Sequence, residues 1–226
     1  MKVSLISFTP EPLKVLYIAA KTCYSSDFPE NNNPDEGSMK KLILNVYERG
    51  HESVFEHISF TFGVQDVSRV LTHQLVRHRI ASYSQQSQRY VKMDKKIVIP
   101  PSIERNEEAR EIYLRCVNSI WDSYEKLIKI GIDKEDARFI LPNATTSNIV
   151  FTMNFRELIH TSGLRLCFRA QWEIKMLFTL VKKEIKNISP FLSDFLKPRC
   201  IRLGYCPEKE SCGLRERRKN GKSKMD

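Results

Sequence analysis

The segment from Arg77 to Tyr90, RHRIASYSQQSQRY, concentrates side chains that suit the binding of an anion. Arg77, His78 and Arg79 stand side by side at its start, and neighbouring cations repel one another unless an anion lies among them. No Asp or Glu occurs between residues 67 and 93 to pair with them. The segment therefore predicts contact with a phosphorylated ligand, because guanidinium groups match the geometry of phosphate oxygens.

The end of this segment offers a further set of polar side chains. If residues 85 to 89 are extended, alternate side chains share one face, which places Gln85, Ser87 and Arg89 together. Arg89 would then grip a phosphate in bidentate fashion while Ser87 completes the phosphate's shell. Gln85 would read the edge of a base or sugar.

The start of the segment predicts a separate anionic subsite, made by Arg77 and Arg79. His78 would stack on a flat heteroaromatic ring or hydrogen bond to it. Two anionic subsites around one planar group suggest that two nucleotides meet here. The alternative is a solvated basic turn, which is common for runs of charge.

The segment HESVFEH, residues 51 to 57, does not fit a zinc-protease helix. The HExxH motif requires histidine at position 55, where Phe55 stands. Ser53 and Glu56 fit a capping box instead, which predicts that Ser53 caps a helix. A helix beginning there would also attract phosphate.

Glycine and cysteine patterns exclude several common sites. None of the eight glycines forms a GxG pair, so neither a Rossmann fingerprint nor a P-loop is present. The six cysteines form no CxxC, and the three near the end, Cys200, Cys206 and Cys212, fall short of the four ligands of a structural zinc site. We expect no bound metal and reduced thiols, with a disulfide as the alternative if the source is a hyperthermophile.

The composition is that of a globular protein, with 226 residues, 41% hydrophobic and 28% charged. The net charge of +10 implies an anionic partner, which could be nucleic acid, a membrane surface or a nucleotide ligand. The short apolar run from Val3 to Phe8 is soon followed by Pro10, which does not fit an export signal. No apolar run approaches the roughly 18 residues of a membrane span. We expect a cytoplasmic protein.

The periodicity of apolar residues predicts the elements that must position these side chains. The predicted strands cover residues 3–8, 58–64, 97–99 and 149–153. The predicted helices cover residues 12–23, 39–49, 67–77, 102–131, 133–140 and 170–187, and one more that Asn154 and Glu157 open as a capping box. We expect one α+β domain over residues 1–198, followed by a basic, cysteine-bearing tail over residues 199–226.

Several sequence blocks together resemble the flavin-dependent thymidylate synthases. The pattern RHR-x7-S-x-R, from Arg77 to Arg89, is the signature of that family. The supporting blocks are RGHESVFEH (49–57), ARFILP (137–142), MNFREL (153–158) and LRLCFRAQWEI (164–174). The resemblance covers roughly residues 45 to 190, and the tail beyond Pro198 has no motif to which we assign a role.

The resemblance implies a homotetramer with the α+β fold of that family, a mixed sheet with long helices, and FAD bound at subunit interfaces. It implies conversion of dUMP to dTMP in nucleotide biosynthesis, with methylenetetrahydrofolate as carbon donor and NADPH as reductant. Reduced flavin supplies hydride to the nucleotide, so no protein nucleophile is expected. Ser87 has no obvious base and is assigned to phosphate binding.

The resemblance also implies roles for particular residues. Arg165 is the expected catalytic residue, because a fixed cation near the uracil edge would stabilise negative charge on the ring. The residues expected to touch the flavin are Ser53, Arg77, His78, Arg79, Gln85, Asn154, Phe155, Arg156 and His160. The residues expected around dUMP are Gln74, Leu75, Val76, Arg77, Gln85, Gln86, Ser87, Gln88, Arg89, Arg138 and Arg165.

Two other functions stay open at this point. A basic nucleic-acid-binding protein would use the Arg/His cluster and the tail to track phosphates, and it would be colourless. A different flavoprotein, such as a hydroxymethylating relative acting on dUMP, would be yellow but would not make dTMP. We expect neither nucleic acid nor membrane as a partner.

Overall fold

A computed structural model describes residues 1–29 and 34–216 of the chain. The strands are β1 (Lys2–Phe8), β2 (Ser59–Ser68), β3 (Ala81–Gln85) and β4 (Thr146–Asn154). The helices are α1 (Pro12–Thr22), α2 (Glu36–Glu48), α3 (Arg69–Leu75), α4 (Pro101–Glu104), α5 (Glu107–Lys129), α6 (Lys134–Ala137), α7 (Phe155–Arg165), α8 (Trp172–Ile188), α9 (Pro190–Ser193) and α10 (Arg199–Leu203). Short 3-10 helices cover Glu52–His57 and Arg138–Ile140. Most of the basic residues of the predicted tail lie outside the described residues.

The strands form one antiparallel sheet in the order β1-β2-β4-β3. On β2, Phe60, Phe62 and Val64 are buried and alternate with more exposed residues, as the sequence alternation predicts. Thr61 and Thr152 hydrogen bond across β2 and β4 through their hydroxyls, 2.9 Å apart. The expected α+β class is confirmed, and the sheet is antiparallel where a mixed sheet was expected.

The chain divides into two compact units that do not follow chain order. The first unit comprises Met1–Lys2, Gly63–Arg77 and Tyr83–Val150. The second unit comprises Val3–Phe62, His78–Ser82 and the chain from Phe151 onward, described to residue 216. The expected boundary between a domain over 1–198 and a tail stays a prediction.

The first unit has its core along α5. Met93, Val117, Trp121, Tyr124 and Ala137 are buried together there. We predicted a single helix over residues 102–131, and this prediction is wrong at its start, because α4 ends before α5 begins. Asn106 caps α5 by accepting a hydrogen bond from the Ala109 N–H, which opens a new helix at Glu107.

The second unit has an aromatic core. The rings of Tyr47, Phe55, Phe155 and Phe195 lie 4.8–6.0 Å apart in edge-to-face or tilted pairs. Such pairs contribute about 0.5–1.5 kcal/mol each beyond the area that they bury. This core fixes α7 at its first residue, since Phe155 is fully buried.

Other element boundaries differ from the sequence prediction for local reasons. The predicted helix over 67–77 begins only at Arg69, because Ser68 Oγ accepts the Leu71 N–H and caps it. The predicted helix over 39–49 begins earlier, at Glu36, with Asp35 as its cap. Gly50 has φ 78° just after α2, which confirms its predicted role at the helix end.

Two predicted elements are shorter in the structure. The predicted strand over 97–99 is a single bridge between Ile97 and Thr145. The predicted helix over 133–140 is α6 followed by the 3-10 turn Arg138–Ile140. Among the described residues, no helix is both long enough and apolar enough to cross a membrane.

Candidate functional site

A chain of hydrogen bonds runs through His78 in the second unit. Arg165 Nε donates to His78 Nε2 over 2.9 Å, and His78 Nδ1 lies 3.1 Å from Thr161 Oγ1. The Thr161 hydroxyl donates in turn to Glu157 Oε1 over 3.1 Å. Since Nε2 accepts and Thr161 gives its proton to Glu157, the proton of the neutral ring must lie on Nδ1.

His78 is held neutral by its surroundings. Burial lowers its pKa to about 4, and the charges of Arg165 and His160 act in the same direction. Glu157 Oε1 lies 3.5 Å from His78 Nδ1, a distance that would form an ion pair only with a protonated ring. At neutral pH the contact is therefore a hydrogen-bonded neutral imidazole beside a carboxylate.

The tight placement of His78 comes from α7. Thr161 and Arg165 are four residues apart on this helix, so both lie on the face that receives the imidazole. The His78 ring is 7% exposed and both its nitrogens are engaged. In this arrangement His78 orients Arg165, and its expected stacking on, or hydrogen bonding to, a flat ring stays a prediction.

A cavity of about 300 Å³ lies beside this chain in the second unit. It brings together Asn154, Arg156 and His160 of the expected flavin contacts. The other lining residues are Glu52, Glu56, Ile80 and Glu157. Arg156 pairs with Glu56 and Glu52, and the hydrogen bond to Glu56 raises the pKa of Arg156.

The two ends of the Asn154 side-chain amide can serve different functions at this cavity. Its Oδ1 accepts the Glu157 N–H over 2.9 Å and caps α7, as the predicted capping box requires. The amide NH₂ lies at the other end of the same group. The cap therefore fixes the orientation in which the two amide donors are presented.

The predicted capping box at Ser53 is wrong. Ser53 lies inside the 3-10 helix Glu52–His57, and the residue at its start is His51, which makes no side-chain cap. Glu56 turns instead to Arg156. Ion pairing with a residue 100 positions away outcompetes the local cap, a contact that sequence spacing does not reveal.

A larger cavity of about 460 Å³ lies in the first unit. It brings together Gln88 and Arg138 of the expected dUMP contacts. The other lining residues are Arg69, His73, Phe139, Leu141, Pro142 and Asn143. None of these described lining residues is a carboxylate.

Arg69 and Arg138 make this cavity strongly electropositive. Burial lowers the pKa of Arg69, and the charge of Arg138 lowers it further. Arg138 Nε donates to the Glu135 carbonyl over 2.9 Å, which fixes its direction. In the described part of the chain no carboxylate offsets the charge of Arg69. Two guanidinium groups in this position favour an anionic ligand.

Gln88 gives the same cavity a buried amide. Its side chain is 7% exposed and lines the cavity. An amide offers both donors and an acceptor, so it can satisfy a polar ligand that the arginines bring in.

The extended conformation expected for residues 85–89 is wrong. β3 ends at Gln85, and the chain then turns, with Ser87 Oγ accepting the Arg89 N–H over 3.1 Å. A short hydroxyl side chain favours such a turn over a strand. Gln85, Ser87 and Arg89 therefore do not lie along one strand face.

The side chains of this turn have definite partners within the first unit. Gln85 Nε2 donates to Thr72 Oγ1 and Ser147 Oγ, which leaves its amide oxygen available. Gln86 pairs with Asn148 through both its backbone and its side chain. Arg89 forms an ion pair with Glu135.

The remaining expected contacts are spread over both units. In the first unit, Leu75 is fully buried, whereas Val76 and Arg77 are exposed and Gln74 is half-buried. In the second unit, Ser53 and Arg79 are exposed. The Phe155 ring is fully buried in the aromatic core.

Sequence reasoning missed Arg69, His73 and Ile80. Arg69 and His73 lie four residues apart on α3, ahead of the Arg77–Arg89 segment, and helical spacing from Arg77 could have identified them. Ile80 is 65% exposed and lines the second-unit cavity, and its apolar side chain gave no chemical signal.

Comparisons with known proteins identify the family to which this chain is similar. A family model described as thymidylate synthase complementing protein matches residues 4–191. The chain is 45% identical over 225 residues to a flavin-dependent thymidylate synthase of Pyrococcus abyssi, covering 93% of this chain and 91% of that protein. It is 43% identical over 233 residues to a protein of the same description from Clostridium tetani, covering 94% and 93%.

A solved structure has the same fold. The crystal structure of a UMP/dUMP methylase, PolB from Streptomyces cacaoi bound with 5-Br dUMP, matches with a TM-score of 0.78 at 24% identity. The match covers 86% of this chain and 93% of that chain. At this level of identity the likeness establishes the architecture.

Proposed function

This chain belongs to the family of flavin-dependent thymidylate synthases, and on that premise we propose that it converts dUMP to dTMP with FAD as its flavin. As a member of this family it is an enzyme of the methyltransferase class. Methylenetetrahydrofolate would donate the carbon and NADPH the electrons, and the active form would be a homotetramer.

The proposal that the protein binds a nucleotide rests on the first-unit cavity. A phosphorylated pyrimidine has a dianionic end and a polar ring, and the cavity offers two guanidinium groups, an amide and no described carboxylate. Arg138 and Gln88 are among the residues that the family resemblance assigns to dUMP. Phe139, 82% exposed, adds an aromatic face against which a ring can stack.

The second-unit cavity fits the polar edge of a flavin. Asn154 presents amide donors, Arg156 a cation and His160 an imidazole around about 300 Å³. When bound, the flavin would supply the hydride for the reduction. Arg156 would hold its negative oxygens while Glu52 and Glu56 keep the guanidinium in place.

Arg165 is the residue that we propose acts on the uracil ring. A neutral His78 accepts from Arg165 Nε, and this contact fixes the direction of the guanidinium group. A cation fixed in this way needs no reorganisation as negative charge develops on the ring. A protonated His78 would be repelled by Arg165, so the depressed pKa of His78 supports the arrangement.

A protein nucleophile is not part of the proposal. Cysteine is absent from the described lining residues of both cavities. Ser87 Oγ is used to accept the Arg89 N–H, and we assign it to the phosphate end of the nucleotide. Direct delivery of hydride from the flavin to the nucleotide is consistent with the absence of cysteine from these described lining residues.

The proposal is tested by the absorption spectrum of the purified protein and by its reaction. We expect a yellow protein that NADPH bleaches without oxygen and that forms dTMP from dUMP and methylenetetrahydrofolate. Colourless protein that takes up no added flavin would contradict the assignment. Yellow protein that modifies dUMP without forming dTMP would support the hydroxymethylating alternative.

The role of Arg165 is tested by Arg165→Lys, with Arg169→Lys as a matched control. Lysine keeps the charge but cannot reproduce the directed Nε contact to His78. We expect kcat for dTMP formation to fall on the order of 100-fold with flavin retained. Arg169 pairs with the exposed Glu210 and its change should leave kcat unaffected. Near-normal turnover of Arg165→Lys would remove the proposed role.

A further inference from the structure

Four of the six cysteines converge on one small cavity in the second unit. Cys167 follows α7, Cys200 lies in α10, and Cys206 and Cys212 lie in the chain beyond it. The cavity measures about 10 Å³, close to the space of a single water-sized sphere. Cys200 and Cys206 are each 7% exposed.

The four thiols share the lining of this one cavity. All six cysteines are free thiols in this structure. Four thiols that line one cavity supply the number and kind of donors that a tetrahedral zinc site uses.

Cations surround the cluster. Arg169, Arg199 and Arg215 line the same cavity, against a single carboxylate, that of Glu208. Four thiolates around a divalent ion carry a net charge of about −2, by counting ligand charges. The arginines supply the compensating positive charge that a partly buried anionic centre requires.

The segment from Cys206 to Glu216 lacks the usual means of staying folded. It contains no helix, and Leu214, its large apolar side chain, is 42% exposed. The Cys206 N–H donates to the Glu216 carbonyl over 2.8 Å, which closes the segment into a loop. Inside that loop Ser211 Oγ donates to the Arg215 carbonyl over 2.6 Å. A short loop with so little apolar burial is typically held by a disulfide or a metal.

We propose that Cys167, Cys200, Cys206 and Cys212 bind one zinc ion as a structural tetrathiolate centre. Each S–H would lose its proton to solvent and each sulfur would form one Zn–S bond, so four protons are released for each ion bound. No electron transfer is involved. The centre would fasten α10 and the loop beyond it to the end of α7.

Binding requires a rearrangement of the thiols. Within residues 1–29 and 34–216, no group of three or more His, Cys, Asp or Glu side chains has metal-binding geometry as it stands. A cysteine side chain reorients by rotation about its single Cα–Cβ bond among three staggered positions. The exposed Cys212, in an irregular loop, is the ligand that would move most easily.

Cobalt substitution tests the proposal. Full-length protein is stripped with a chelator under reducing conditions and titrated with Co²⁺. We expect saturation at one ion per chain, with the visible and thiolate-to-cobalt charge-transfer bands of a tetrahedral site. Added Zn²⁺ should abolish both bands, because zinc prefers thiolate donors more strongly than cobalt does.

Variants assign the ligands. Cys200→Ser and Cys212→Ser should each lose the charge-transfer intensity of the four-sulfur site. Cys23→Ser and Cys116→Ser, which change exposed thiols outside the cluster, should retain it. Because Cys212 is exposed, the Cys212→Ser variant should fold. It therefore tests the proposal even if Cys200→Ser does not fold.

Three results would overturn the proposal. The stripped protein could show no charge-transfer band with Co²⁺, or Cys212→Ser could retain the full band. Alternatively, mass spectrometry of the untreated protein could show disulfides among these four cysteines. The last result would identify the cluster as a disulfide staple instead.

Discussion

At residue 78 the fold places an imidazole between an alcohol and a guanidinium. The order of donors and acceptors, from Arg165 through His78 and Thr161 to Glu157, leaves one consistent proton arrangement. A group that is buried and neutral in the folded protein but free to titrate in the unfolded chain makes stability depend on pH. His78 is therefore both an orienting residue and a source of acid sensitivity.

We predict that His78 lowers stability as the pH falls. Its folded pKa of about 4 lies below its ordinary value of 6.5, so the unfolded chain takes up the proton first. The stabilisation is fully present above pH 6.5 and is lost toward pH 4, by on the order of 3 kcal/mol in total. Denaturant unfolding followed by circular dichroism should show a shallower pH slope in His78→Gln than in wild type.

His57→Gln serves as the control for that slope, because His57 is exposed. It should keep the wild-type dependence on pH. Equal slopes for His78→Gln and wild type would show that His78 is not the titrating group.

We predict that Arg69 contributes to nucleotide affinity. Arg69→Ala removes one of two facing guanidinium groups in the first-unit cavity. A charge-assisted contact is worth about 1.5–3 kcal/mol, so the Kd for dUMP should rise roughly 10- to 150-fold. Calorimetric titration of each protein with dUMP measures this Kd.

Arg110→Ala is the matched control, since Arg110 is exposed and pairs with Glu104. Its dUMP affinity should be unchanged. An unchanged Kd in Arg69→Ala would assign the charge of the cavity to another ligand.

The candidate residues could be read from the sequence more readily than their partners. The RHR-x7-S-x-R pattern identifies His78 and Arg89, but their contacts with Arg165 and Glu135 come from distant segments. Arg69 lies outside every sequence block that carries the resemblance to the family. Helical spacing from Arg77 could have singled out Arg69, but its proximity to Arg138 depends on folding and is not encoded in a local pattern.

At the scale of elements, the junction between β4 and α7 contributes both to the stability of the fold and to the lining of the second-unit cavity. Asn154 ends the strand, caps the helix and lines the cavity. The sequence correctly predicted Asn154 as the cap of α7, although the Glu157 side chain bonds Thr161 instead of completing the capping box, and the similar pattern at Ser53 failed. The difference is that Glu56 has a long-range partner in Arg156 and Ser53 lies inside a 3-10 helix.

We predict that two substitutions separate the roles of Asn154. Asn154→Ala removes the cap and should lower the free energy of unfolding by about 1 kcal/mol. Asn154→Asp retains an acceptor for the Glu157 N–H, so stability should be preserved. Both variants lose the amide donors, and both should bind added flavin more weakly.

Denaturant unfolding and spectroscopic titration with FAD provide the two readouts. Tight flavin binding by Asn154→Asp would show that the amide donors do not contact the cofactor. A stable Asn154→Ala protein would show that the cap contributes little.

At the scale of the whole molecule, the net charge of +10 invites comparison with nucleic-acid-binding proteins. Among the described cations, Arg69 and Arg138 line the first-unit cavity and Arg156 lines the second-unit cavity. Such placement suits a small anion better than an extended backbone, which needs a continuous basic surface.

We predict that binding of single-stranded DNA is weak and sensitive to salt. A contact made mainly by surface charge should be lost between roughly 50 and 200 mM salt, while the yellow colour and dTMP formation persist. Mobility-shift electrophoresis across this range measures it. Tight DNA binding at the higher salt by a colourless protein would favour the nucleic-acid alternative.

The organisation of the chain shows where sequence prediction ends. The strands on 3–8, 58–64 and 149–153 and most of the helices are recognisable, because alternation and helical spacing report burial directly. The two units, in contrast, are each assembled from separate segments, and β2 and β4 each continue from one unit into the other. Local periodicity carries no information about such long-range grouping.

The distribution of tryptophan gives each unit its own optical reporter. Trp121 lies in the core along α5 in the first unit, and Trp172 opens α8 in the second. The chain has two tryptophans in all, so Trp121→Phe and Trp172→Phe each leave a single emitter. Fluorescence from these two variants can therefore follow the melting of one unit without a signal from the other.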